Sequence, residues 1–189
     1  MPGKGLIMDT KKTLLWITRT AVLIALLITF QWGLSSLTGG NQFVVGSAVN
    51  LVLIVAAIAS GLYSGITVAI ISPFLAFVLG VGPAIFLLIP FIAVGNLVLV
   101  LVWYFLVKKI PVSIDNYVRM IIALIAGAVL KFLVLYLLIA KFAISVLLTL
   151  PAVKATALSA TFSLPQLVTA SIGGVIAILI MPIIKKAVK

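Results

Sequence analysis

The chain has 189 residues, of which 65% are hydrophobic and only 8% charged, and a formal net charge of +11. Soluble domains carry roughly 25% charged residues, so a water-soluble fold of this length could not cover so much apolar surface, and composition points to a single integral membrane domain. With no Cys and no His, disulfides, thiolate or imidazole metal sites and imidazole acid–base chemistry are excluded.

The opening residues, MPGKGLIMDTKK, lack the cleavage pattern of a signal peptide, and the apolar run after them is long enough to span a bilayer. Met8 is a candidate natural start. A hydrocarbon core of about 30 Å needs about 20 apolar residues as helix. Six stretches qualify in chain order: 14–33, 43–63, 66–79, 84–107, 117–140 and 164–184. The third is short and carries Pro73. Ser64-Gly65 and Gly80-Val81-Gly82-Pro83 are the turn signals on either side of it. Pro165 suits the first turn of the last span, where its missing N–H costs nothing. No stretch shows the dyad alternation of a barrel strand, so the fold class is an all-α membrane protein. Between the fifth and sixth spans, 141–163 holds Pro151, several Ser and Thr, and an apolar run, 143–150, too short to cross. It reads as a lid-like outer loop or an interfacial surface stretch.

Orientation follows from the cations. With the N-terminus in the cytoplasm, Lys4, Lys11, Lys12, Arg19, Lys108, Lys109, Arg119, Lys185, Lys186 and Lys189 all fall inside, and only Lys141 and Lys154 fall outside. Both termini are therefore expected to be cytoplasmic. The cations gather at the ends of apolar runs and are not interleaved with aromatics, so they read as topology and lipid-headgroup signals, not as a nucleic-acid surface.

Rare polar side chains are the informative ones in such a chain. Lys131 lies in the middle of the apolar stretch 120–140, and the two carboxylates of the chain, Asp9 and Asp115, lie in polar segments elsewhere. A charge at bilayer depth costs about 2.5–3.5 kcal/mol on insertion scales. Lys131 therefore reads as a site for an anionic or strongly hydrogen-bonding group, with headgroup snorkelling as the bland alternative. Helix rise puts it about 21 Å above the cytoplasmic entry of its span, and Asn50 about 10 Å below the outer entry of the second. Asn96 is near the middle of the fourth span. Gln166 opens the last span, Gln31 and Trp32 close the first, and Asn41 and Gln42 belong to the outer loop 35–42. This segregation predicts an outward-facing polar pocket closed below by apolar packing. For Asn50 or Asn96 taken singly, interhelical hydrogen bonding at about 0.6–2 kcal/mol explains the residue equally well. Trp32, Phe43 and Tyr136 are candidates for stacking on a ligand ring. Ala21 and Ala25, and Gly173-Gly174, are small-residue signals for close helix approach.

No GxxxxGK[ST] loop is present, so ATP hydrolysis by this chain is not expected. No intramembrane carboxylate suggests a proton relay. A Ser/Lys dyad of Lys131 with Ser163 or Ser47 is conceivable, but nothing marks either serine as a nucleophile, and the chain does not read as an enzyme. A stand-alone carrier or channel is the alternative transport reading. A channel should carry polar groups over the full bilayer height, whereas here they occupy one half. A structural scaffold would need no pocket at all.

Size, six spans, cytoplasmic termini, the Ala21-x-x-x-Ala25 pair after a basic stretch, and the outward polar pocket together resemble the substrate-binding S component of an energy-coupling factor (ECF) transporter. The run Gly40-Asn41-Gln42-Phe43-Val44-Val45-Gly46-Ser47-Ala48-Val49-Asn50 is similar to the first loop and second helix of that family, and Gly82-Pro83, Pro90-Phe91 and Gly95-Asn96 to its later segments. The resemblance implies a bacterial cytoplasmic-membrane subunit that captures a vitamin or related micronutrient from outside. It implies as partners a transmembrane coupling protein, met by the face of Ala21 and Ala25, and two ABC-type ATPases that hydrolyse the ATP. It also implies that Asn41, Gln42 and Phe43 gate the pocket. Lys131 then favours a substrate with an anionic group.

Overall fold

Apolar runs in lipid can satisfy their backbone within one segment only as helices, and all regular structure among the described residues is helical. The computed structural model describes residues 4–109 and 116–187, with side chains from Thr10 to Lys108 and from Asn116 to Ile184. Met1, Asp115 and Lys189 lie outside the described residues, as do the side chains of Lys4, Asp9, Lys109, Lys185 and Lys186.

Helix α1 (Lys4–Thr38) overruns the expected 14–33 at both ends. It stops at Gly39 and Gly40, whose φ angles of 62° and 76° lie in the left-handed region that glycine enters without steric cost. The outer loop expected at 35–42 thereby shrinks to a three-residue turn. Its last member, Asn41, caps α2 (Gln42–Val55) by accepting from the Phe43 backbone N–H at 2.9 Å. A wide π turn, Ala56–Ser60, continues α2 until Gly61 reverses the chain. Helix α3 (Leu62–Val78) contains Pro73. A 3₁₀ turn, Phe86–Leu88, leads into α4 (Ile89–Tyr104), with Pro90 harmlessly in its first turn, and a π turn, Phe105–Lys109, ends it. Helix α5 (Asn116–Leu135) runs on as a π-helical segment, Tyr136–Leu147. Helices α6 (Ala152–Thr161) and α7 (Leu164–Ala187) complete the chain.

The loop reading of 141–163 is corrected by this structure. The apolar run thought too short to span is the extension of the fifth helix, held because Ile139, Ala143 and Ile144 bury against Leu88 and Phe162. Residues 152–161 form a short helix with no fully buried residue, packed against that extension. Among the described residues, five helical stretches are long and apolar enough to cross a membrane. The apolar α3, with 17 residues, is about 26 Å long at helical rise. Large apolar side chains such as Leu14, Val22, Ile121, Ile125 and Leu137 point outward, as a lipid-facing surface requires.

The most extensive pairings are α2 with α7, α3 with α4, and α4 and α7 with α5. Gly173 explains the first. A Cβ there would lie 2.7 Å from the Ser47 carbonyl oxygen and 2.8 Å from Asn50 Cβ. The bundle has two unlike ends. At the end where α4 stops and α5 begins, Leu53, Ile54, Leu99, Trp103, Met120 and Met181 make a closed apolar core. The other end, where α1 meets α2 and α6 meets α7, holds the site.

Candidate functional site

Lys131, only 3% exposed, projects from α5 to the junction of α2 and α4. Its Nζ donates to Asn50 Oδ1 at 2.6 Å and to Asn96 Oδ1 at 2.7 Å. An ammonium group has only donors, so it fixes the orientation of both amides: oxygen inward, nitrogen outward. Asn96 Nδ2 then donates to Ser72 Oγ on α3 at 3.2 Å, and Asn50 Nδ2 to Thr169 Oγ1 on α7 at 3.3 Å.

Each wing ends on a backbone carbonyl. Thr169 Oγ1 donates to the Gln166 carbonyl at 3.2 Å. Ser72 Oγ donates to the Ala69 carbonyl at 3.4 Å, the oxygen whose helical partner would be the N–H that Pro73 lacks. The proline in α3 thus creates the acceptor that anchors this wing. Every bond in the chain donates away from the ammonium, an alignment in which successive hydrogen bonds polarise one another. Five helices are tied through one side chain, with neutral amide carbonyls in the place a carboxylate would take.

Above this network opens a cavity of about 360 Å³. Lys131, Asn50, Asn96 and Ser72 line its base, and Val45, Val49, Ile92 and Phe162 line its walls. Gln31, Gln42 and Gln166 also face it. Gln42 Nε2 and Gln166 Nε2 both donate to the Thr161 carbonyl at the end of α6, at 2.8 and 3.2 Å, so this short helix is pinned across the rim. Gln31 is 5% exposed, and its Oε1 has no hydrogen-bond partner.

Of the residues singled out in sequence, Lys131, Asn50, Asn96, Gln166, Gln31 and Gln42 come together around this cavity. Asn41 spends its side chain on the α2 cap and is not part of the lining. The stacking residues are placed elsewhere. Trp32 is 62% exposed and Phe43 also points outward. Tyr136 stacks on Phe132 at 5.8 Å, with the Lys141 ammonium 5.5 Å from its ring centroid. Each is on the wrong face of its helix: one residue turns a helix by about 100°, so Trp32 diverges from Gln31 and Phe43 from Gln42. Ala21 and Ala25 are both exposed. Sequence reasoning missed Ser72, Thr161 and Thr169. The local signals were Ser72 immediately before Pro73 and Thr169 three residues after Gln166.

No protein-family model, curated protein or solved structure matches this chain. The functional reading therefore rests on the geometry of the cavity and on the resemblance in the sequence.

Proposed function

We propose that this chain is the membrane-embedded substrate-binding subunit of an ECF-type transporter. In this reading it lies in the bacterial cytoplasmic membrane with both termini cytoplasmic, and captures a small micronutrient bearing an anionic group from outside. The observation that carries the proposal is the cavity with Lys131 at its base: two of the three ammonium donors are used by Asn50 and Asn96, which leaves one for a ligand. A volume of about 360 Å³ falls in the range of small-molecule pockets. The apolar core beyond it, around Leu99 and Trp103, supports a site closed on one side over a through-channel. The outward-facing Ala21 and Ala25 leave α1 a small-residue stripe on which a coupling protein can pack. Energy comes from partner ATPases, and no catalysis is assigned to this chain.

Two measurements test the reading. Tagged chain purified from its native membrane should bring a coupling protein and ATPase subunits with it; transport by the purified chain alone in liposomes would overturn the dependence on ATPases. A micronutrient panel scored by thermal shift in detergent should contain an anionic hit that Lys131→Ala no longer binds. Normal binding by that variant would remove Lys131 from the recognition role.

A further inference from the structure

The hydrogen-bonding polarity of the cavity is graded from base to rim. At the base the charged group, the Lys131 ammonium, keeps its third N–H free to donate beyond its bonds to the two asparagine carbonyls. Toward the rim the free capacity is of the opposite kind. Gln42 and Gln166 both spend Nε2 on the Thr161 carbonyl, which leaves their amide oxygens to accept. Gln31 lines the same cavity, and its buried Oε1 has no donor at all. A buried acceptor without a partner is costly, and such a group is satisfied when a ligand brings the missing N–H or O–H. Between these polar zones the walls are Val45, Val49, Ile92 and Phe162. Asn50 and Gln42 are separated by about 12 Å of helical rise, which sets the scale of the span from base to rim.

We infer that Gln31 is a specificity-determining residue and that the cavity takes a bipolar molecule: an anionic group on Lys131, an apolar middle, and neutral N–H or O–H donors presented to Gln31. Ureido, amido and hydroxy carboxylates have this pattern. A plain fatty acid lacks the donors. A cationic amine would bring a second positive charge beside Lys131 with no carboxylate lining the cavity to offset it. This inference rests on the reading of the cavity as a substrate site.

The test uses the full chain in detergent with three matched probes: ω-ureido carboxylates of graded chain length, their methyl esters, and the same acids with every urea nitrogen methylated. At the best chain length the free ureido acid should bind roughly tenfold or more tightly than either the ester or the methylated urea, the effect of one lost hydrogen bond to a buried group. Gln31→Leu should abolish the preference for free over methylated urea and keep the preference for acid over ester; Lys131→Met should do the reverse. Equal binding of free and methylated ureas by the natural chain overturns the inference, as does unchanged discrimination in Gln31→Leu or no binding by any probe. The substrate-site reading falls separately, on the broader panel and the co-purification above, so the two failures are distinct. The comparison of probes on the natural chain decides the matter even where a variant does not fold.

Discussion

The two ends of the bundle solve burial in opposite ways. At the end carrying the cavity, polar side chains are taken out of water and their cost is met by a directed chain of hydrogen bonds running from Lys131 through two amides and two hydroxyls to backbone carbonyls. At the opposite end, Leu53, Ile54, Leu99, Met120 and Met181 close the bundle by apolar packing; a buried hydroxyl pair, Thr20 Oγ1 donating to Ser64 Oγ at 2.8 Å, ties α1 to α3 there, and Trp103 Nε1 is left without a partner. The network ties five helices and leaves one ammonium donor and several amide oxygens uncommitted around a cavity, whereas the uncommitted polar atom of the apolar core, Trp103 Nε1, is fully enclosed.

The comparison can be broken most severely where both ends depend on one contact. Gly173→Val forces a branched side chain into the Ser47 carbonyl and Asn50 Cβ, so α7 must move off α2. The expected loss is about 3 kcal/mol or more, seen as a lowered midpoint in denaturant or detergent titration, together with loss of ligand-induced thermal shift. A midpoint equal to that of the natural chain would show that the close approach is not needed. Next in size, Asn50→Leu leaves Lys131 with one carbonyl partner and should cost about 2–3 kcal/mol. Adding Lys131→Met to it should recover part of that loss, because the buried charge is then gone. Strict additivity of the two changes would mean that Asn50 and Lys131 do not act as a unit. The smallest effect is expected at the apolar end. Trp103→Phe opens a small cavity but also removes an indole N–H that has no partner; the two terms oppose, and the net change should stay under about 1 kcal/mol. A large loss there would reveal a hidden partner for Nε1.

Much of the site was legible in the sequence because polar residues in an apolar chain are few and costly. Lys131, Asn50 and Asn96 stood out singly, and the structure joins them. Ser72 and Thr169 did not stand out, since hydroxyls on a helix usually bond their own backbone, as Thr18, Thr29 and Ser36 do here. Only Pro73 beside Ser72 hinted that a backbone carbonyl needed a donor. The aromatic candidates were misplaced for a related reason: proximity in sequence to Gln31, Gln42 or Lys131 says nothing about which way a helix is turned. Residues 141–163 were read as loop because Pro151 and the Ser and Thr around it mask two helical pieces that are each too short to span, and it is packing on Leu88 and Phe162 that orders the first of them.

Composition and the spacing of apolar runs determined by themselves that the regular structure among the described residues is helical and roughly where its apolar segments lie, because these are properties of local sequence in an apolar solvent. The rotation of each helix about its axis was decided only in the tertiary structure. Hydropathy varies little around α1 to α4 and α7, so the choice there falls to close contacts such as Gly173 against α2 and to the demand that a buried ammonium find acceptors. Those two requirements together turned scattered amides into one directed network beneath a cavity.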